Sequence, residues 1–364
     1  MKTWELIHTV LELTERAFAN TPAAYAKKQK RKILFHVLLD IPFAKQWIKT
    51  IQQKENAWIT ANRPRLYFKP FRVYLSSRWD KQQRQNALLN CYTYIKQHPG
   101  LQQIICTNRP VEIAQFATKD AETRGHITLG YDERYRKEGE IVISLRSAHY
   151  AEPVCEAAFT IDKAQGKWIV RIGCIQGSKN TENENSIKTL QKSLYGLRPK
   201  SLMIYIMQEI GKQLGCTALY GAGNKIQAHN KKHFIHIPYL HKLKCDYDAL
   251  WQESGGELQK DGWYQLPQNW QRKPMESIKS QKRAQYRKRY ELLDIIARQI
   301  RINLHDKTAP PPETAQSSRT TKIPSPHAQV SAHLNNCKNS CEDKKAPSPA
   351  RRTETARVAG KGQE

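Results

Sequence analysis

"SLYGLRPKSLMIYIMQEIG", residues 193–211, sets a Gly, an Arg, a Pro and a Lys directly before the most apolar helix-like run of the chain. Pro199 suits a first helical turn, where its missing N–H costs nothing. From Leu202 to Leu214 apolar side chains occupy most sides of the helix, which makes it a buried one, and Gly215 is a good C-cap. At about 1.5 Å per residue the run is too short to cross a bilayer. It is therefore a core helix with a basic mouth, and the segments before it must supply what it packs against.

Those segments read as strands. "GHITLGY" (125–131), "GEIVISL" (139–145), "VCEAAFTI" (154–161) and "KWIVRIGCIQG" (167–177) are short, rich in β-formers and separated by turn residues. "DKAQG" between the last two predicts an antiparallel hairpin. "GCTALYGAG" (215–223) adds a strand after the core helix. The expected fold class is α+β, a central, mostly antiparallel sheet flanked by helices.

Upstream, apolar residues at 4, 7, 11 and 18 predict an amphipathic helix. The basic run "KKQKRK" (27–32) leads into a second helical region interrupted at Pro42, which completes an N-terminal helical region over 1–64. "RLYFKPFRVYL" (65–75) is irregular or strand-like. "SSRWDKQQRQNALLNCYTYIKQHPG" (76–100) reads as a helix capped by Ser76 or Ser77 and stopped by Pro-Gly. "YDALWQESGG" followed by "DGWYQLP" is either an aromatic-lined loop over a site or aromatic core with Gly turns. A basic helix follows over 277–301, with Tyr286, Tyr290, Leu293, Ala297 and Ile300 on one stripe and Arg283, Arg287, Arg298 and Arg301 on a neighbouring one. Beyond Leu304 the composition turns to Pro, Ser, Thr and Ala, and 305–364 is expected to be a disordered tail.

The formal charge is +27; the tail holds 10 Lys+Arg against 6 Asp+Glu, which leaves +23 on residues 1–304. Such an excess selects anionic partners: nucleic acid, lipid headgroups or phosphate-bearing ligands. Cysteines 91, 106, 155, 174, 216 and 245 lie singly among apolar stretches, as small buried hydrophobes of a reducing compartment do. The amino terminus lacks a signal-peptide core, and no run of about 18 apolar residues occurs, so a cytoplasmic address without a transmembrane helix is expected. The basic run beside an amphipathic helix is compatible with a solvated loop or with rest on an anionic membrane.

The acid/base inventory comprises Glu138, Glu140, Asp246, Asp248 and Glu253 with His149, His229, His233, His236 and His241. "HNKKHFIHIPYLH" (229–241) alternates like a half-exposed strand and has no Cys or carboxylate to complete a tetrahedral set, so no metal is expected; Cys337 and Cys341 with His333 sit in the tail. The four arginines of the last helix can track phosphates of nucleic acid or lipid, or pair with acidic groups of the fold. No zinc finger, RNA-recognition motif or helix-turn-helix signature is present, which ranks nucleic acid below a membrane or phospho-ligand.

"IGCIQG" (172–177), "YGLRPKSL" (195–202), "YDALWQESGGELQKDGWYQLP" (247–267) and "SQKRAQYRKRYELLD" (280–294) resemble, in order and spacing, the motifs of the VirK/YbjX family. "YLSSRWDKQQRQNALLNCYTYI" (74–95) and "EGEIVISL" (138–145) are similar to its amino-terminal and first sheet motifs. The likeness runs from about Arg65 to Leu304, an α+β body, and departs at Cys91, where the family pattern has a His. The resemblance implies a bacterial domain of unknown function associated with virulence and the Gram-negative envelope, with membrane association of relatives. It carries over no catalytic residue.

The order strand, loop, helix with an anion-ready N-terminus, strand also resembles the cofactor-binding half of N-acetyltransferase-like folds. There the pyrophosphate of coenzyme A rests on the helix start. By that likeness Gly196, Arg198 and Lys200 form a phosphate cradle for coenzyme A or an acyl-carrier phosphopantetheine, and Glu140 or His149 takes a proton from an incoming nucleophile. The Q/R-x-x-G-x-G/A loop of those folds is absent, and Pro199 removes one backbone donor. The expectation is a VirK/YbjX-like protein near the anionic inner membrane face of a Gram-negative bacterium, acyltransferase-like if it is an enzyme. The alternative is a non-enzymatic, basic nucleic-acid-binding protein.

Overall fold

A computed structural model describes residues 1–119, 124–147, 150, 152–177, 184–230 and 245–308, all within one contact unit, Met1–Pro311. The strands are β1 (Val111–Ala117), β2 (Arg124–Gly130), β3 (Ile141–Ser147), β4 (Cys155–Ala164), β5 (Lys167–Gly177), β6 (Leu219–Ala222), β7 (Glu257–Leu258) and β8 (Trp263–Leu266). They form one eight-stranded sheet in the order β1-β2-β3-β4-β5-β6-β8-β7. Every neighbouring pair is antiparallel except β5 and β6, which run parallel. The helices are α1 (Thr3–Phe18), α2 (Ala23–Leu38), α3 (Ile41–Ile51), α4 (Ala57–Asn62), α5 (Lys81–Lys96), α6 (Pro99–Thr107), α7 (Glu184–Ser193), α8 (Pro199–Gln213), α9 (Tyr247–Glu253) and α10 (Ser280–Thr308). The fold is the α+β class that the strand and helix patterns predict.

The β4–β5 hairpin turns on Gln165 and Gly166, whose φ values of 49° and 77° are the paired positive angles a tight two-residue turn needs. β4 is buried from Cys155 to Asp162 because it is covered on both sides. Asn90 of α5 donates to Asp162 at 2.8 Å, while Gly211 of α8 lies against Val170, the cross-strand partner of Ile161. Successive residues point to opposite faces, so α5 and α8 sandwich the sheet. This is why the middle of the chain reads as continuous apolar runs and not as clean alternation. Leu202, Met203, Ile204, Ile206, Met207 and Ile210 of α8 are all buried, each stabilising by roughly 1.5–3 kcal/mol. α10 closes this face against α8 and β1.

Several local expectations are corrected. On α1 the core stripe is Leu6, Val10, Leu13 and Ala17, while Trp4 is 65% exposed; the stripe read through 4, 7 and 11 is one step out of phase, because both sides of this helix carry apolar residues. The cap of α5 is Asp80, which accepts from Gln83 N at 2.7 Å in a capping box, and not Ser76 or Ser77. The Pro-Gly after α5 both stops it and opens α6, since Pro at the first position suits a helix start. "VEIAQFA" forms the edge strand β1, and "YDALWQE" is helix α9 with Trp251 in the core against Gly221. The aromatic-core reading of that stretch therefore holds. α10 continues four residues past Leu304; the remainder of the tail lies outside the described residues.

Candidate functional site

The mouth of α8 is built by two left-handed residues, Tyr195 (φ 52°) and Gly196 (φ 78°). A Cβ on Gly196 would stand 2.5 Å from Nε2 of Gln285 and 2.9 Å from a guanidinium nitrogen of Arg289, so its close approach is to α10. Arg289 fixes the turn by donating twice to Tyr195 O, at 2.9 and 3.1 Å. Arg198 is the N-cap residue and gives no side-chain cap, so the first N–H groups of α8 receive no side-chain acceptor there. Its guanidinium is 66% exposed and pairs with Glu253 of α9 at 3.1 Å. Lys200 turns inward and places Nζ 3.1 Å from Sγ of Cys245. Burial pushes the nearby Cys155 thiol up to about 12, with the Lys200 charge opposing it. The three predicted cradle residues share one turn, but the two cations diverge.

Beside this mouth the sheet opens. β5 pairs with β6 only at Val170↔Leu219, Arg171↔Tyr220 and Ile172↔Gly221, then continues to Gly177. Gly173 has no partner on β4, since Phe159 pairs with Ile172 and Ala158 with Cys174, so a bulge sits where the two strands part. Tyr247, from the start of α9, reaches across and donates to Ile175 O at 3.2 Å. The backbone of Glu138 passes so close to Gly173 that a Cβ there would lie 2.0 Å from the Glu138 carbonyl oxygen. The Glu138 side chain is 2% exposed, and His229 Nδ1 stands 3.1 Å from Oε1 without hydrogen-bond alignment. Burial pushes this carboxyl up to about 7, against the pull of Lys137 and Arg136.

Glu140 belongs to a different place. It is fully buried, ion-paired with Lys69 and hydrogen-bonded by the Tyr92 hydroxyl. Burial and the Glu140 charge hold the Tyr92 phenol well above its ordinary range, so it stays a donor. This trio lies at the wall of a cavity of about 610 Å³ between α1, α2, the Pro64–Phe71 3₁₀ segment and residues 131–140. Seven Lys and Arg side chains line it against three carboxylates. Glu140 stands out in the sequence as a candidate acid, but its partners do not, because Lys69 and Tyr92 are 71 and 48 positions away. The one local signal is the density of cations in "RPRLYFKPFR" (63–72).

The arginines of α10 divide. Arg287, Arg298 and Arg301 are exposed, whereas Arg283 is half-buried and donates to Ile278 O at 3.0 Å and Glu276 O at 3.5 Å. Asp246 caps α9 by accepting from Ala249 N at 3.1 Å, and Asp248 accepts from Asn224 N at 2.8 Å, which gives both carboxylates structural work. His149, His233, His236 and His241, and the tail residues Cys337, Cys341 and His333, lie outside the described residues. Among the described residues no group of His, Cys, Asp and Glu is arranged to hold a metal, and no helix is long and apolar enough to cross a membrane.

Comparison with known proteins agrees with the motif resemblance and extends it toward the amino terminus. Residues 23–302 match the model of a family described as a protein of unknown function (DUF535), and the chain belongs to that family. The match takes in α2, α3 and α4, well before Arg65. The chain is similar to the uncharacterized protein YbjX of Escherichia coli (strain K12), with 27% identity over 274 residues, 74% of this chain and 82% of YbjX. Two uncharacterized proteins of Haemophilus influenzae are 35% and 32% identical over 178 and 163 residues. Those alignments span 57% and 52% of the two Haemophilus proteins.

Proposed function

We propose that this member of the DUF535 family is an acyltransferase-like protein acting at an anionic membrane face, with coenzyme A or an acyl-carrier phosphopantetheine as its thioester ligand. The observation that carries the reading is the parting of parallel strands β5 and β6 at the Gly173 bulge, beside the uncapped N-terminus of α8. A helix start with free N–H groups and an exposed Arg198 suits a phosphate, and a gap between strands suits an extended arm. The fit is partial: Lys200 is directed to Cys245, so Arg198 and the N–H groups after Pro199 carry the anion contact. When bound, the ligand supplies the acyl thioester. Glu138, whose backbone packs against Gly173, takes the proton as the acceptor hydroxyl or amine bonds to the thioester carbon. The C–S bond breaks, and that proton goes to the departing sulfur. Calorimetric titration of coenzyme A and acyl-coenzyme A into wild type and Arg198→Ala tests this. A charged hydrogen bond is worth roughly 1.5–3 kcal/mol, so the variant is expected to bind about tenfold or more weakly. No heat with the wild type, or equal affinity in both proteins, refutes it.

The membrane part of the reading is supported by α2. Its outer face presents Lys27, Lys28, Arg31 and Lys32, followed by Phe35 (60% exposed), Leu38 (48%) and Leu39 (63%). Cations beside exposed large apolar groups suit the headgroup region of an anionic bilayer. In vesicle sedimentation the protein is expected to pellet with phosphatidylglycerol-containing vesicles, less so at high salt, and a Phe35→Ser/Leu39→Ser variant to remain in the supernatant. Salt-sensitive binding of oligonucleotides with none to the vesicles would instead put nucleic acid first.

A further inference from the structure

The cavity that holds Glu140 has more positive charge than its own walls neutralise. Its carboxylates are already engaged: Glu140 with Lys69 and Tyr92, Glu133 with Arg65 at 2.8 Å and Tyr131 at 2.6 Å, and Asp132 with Arg134 at 2.6 Å. Three of the remaining cations bond neutral groups. Arg72 donates to the Gln29 amide oxygen, Arg136 to the Glu133 carbonyl at 3.2 Å, and Arg63 to Ile105 O at 2.6 Å and Asn108 Oδ1 at 3.2 Å. The Lys137 ammonium makes no hydrogen bond or ion pair among the described residues, and the residue is half-buried.

These charges also act on one another. Burial, then the neighbouring charges of Arg136 and Arg65, hold the Arg72 guanidinium below its ordinary range. Burial lowers Lys137 as well, with Arg136 and Arg72 adding to the effect against Glu138. Cations that repel across a partly desolvated space are costly unless an anion sits between them. Arginine forks match phosphate oxygens in pairs. Phe18, Tyr25 and Tyr131 add aromatic surface to the lining, with the Arg63 guanidinium 3.7 Å over the Tyr131 ring.

We propose that this cavity is a binding site for a phosphate monoester, with Arg72, Arg136 and Lys137 as its anion ligands. The volume of about 610 Å³ accommodates a phosphate with a sugar- or glycerol-sized body. A free metabolite and a lipid headgroup share this chemistry. No residue of the α8 mouth or of the outer face of α2 lines the cavity, although Lys137 adjoins Glu138, and the proposal does not rest on either of those roles.

The test measures binding of glycerol 3-phosphate by calorimetry. In parallel, binding to phosphatidylcholine vesicles with and without phosphatidic acid is followed. The full chain is compared with Arg72→Gln, Arg136→Gln and, as a control for general charge, the exposed Lys260→Ala; circular dichroism verifies folding. The expected result is binding that falls about tenfold or more in Arg136→Gln and Arg72→Gln and is unchanged in Lys260→Ala. Loss in the soluble arm identifies a free phosphate ester, and loss confined to the phosphatidic acid arm identifies a headgroup. Should Arg72→Gln not fold, Arg136→Gln decides alone. No binding in either arm, or equal losses in all three variants, overturns the proposal. Binding of coenzyme A unaffected by Arg136→Gln separates the result from the α8 site.

Discussion

Lys69→Met destabilises the protein by about 3–5 kcal/mol at neutral pH, the cost of leaving a buried carboxylate without its counter-ion. Lys69 and Glu140 are 12% and 1% exposed, so solvent does little to screen them. With Lys69 gone, Tyr92 is, among the described residues, the remaining side chain that hydrogen-bonds Glu140. One neutral donor does not replace a salt bridge in a site closed to water. The double variant Lys69→Met/Glu140→Gln recovers most of the loss, because no charge is then buried. Urea unfolding of wild type, both single variants and the double variant checks this. A loss below about 1 kcal/mol in Lys69→Met would show that the pair behaves like a surface ion pair.

The second large effect concerns pH. Glu138 has an ordinary value of 4.5 and is pushed up to about 7 in the fold by burial. A carboxyl raised on folding favours the protonated native state. Its contribution is fully present below about pH 4.5 and is lost as pH rises to about 7, after which the penalty stays constant. The shift corresponds to roughly 3 kcal/mol. Glu138→Gln removes the titration, so the difference in stability between variant and wild type grows in the variant's favour from about pH 4.5 to 7. Denaturant midpoints of the two proteins across that range measure it. His229, Lys137, Arg136, Cys174 and Tyr247 face or influence the same group and are unchanged in both proteins. A difference that does not vary with pH would place the Glu138 carboxyl in water.

Signals confined to a few neighbouring residues were legible in the sequence. The Gln165-Gly166 turn, the runs that became β2 to β5, Pro199 at the start of α8 and the apolar length to Leu214 each express a local rule of backbone geometry or side-chain spacing. The family motifs belong to the same kind of information, and Gly196, Arg198 and Lys200 are close enough in the chain to be read together. Phase and partnership were not local. Which stripe of α1 faces the core depends on what α2 and the 3₁₀ segment bring against it, and β1 forms because an edge strand is offered a neighbour in β2. The cavity gathers Arg72, Tyr92, Arg136 and Glu140 from segments that approach only when α1 and α2 pack against the 3₁₀ segment and α5 lies on β4. Burial is what turns Lys69 and Glu140, 71 positions apart, into a pair and raises Glu138 to about 7. Desolvation is a property of the assembled space around a group, and no spacing along the chain encodes it.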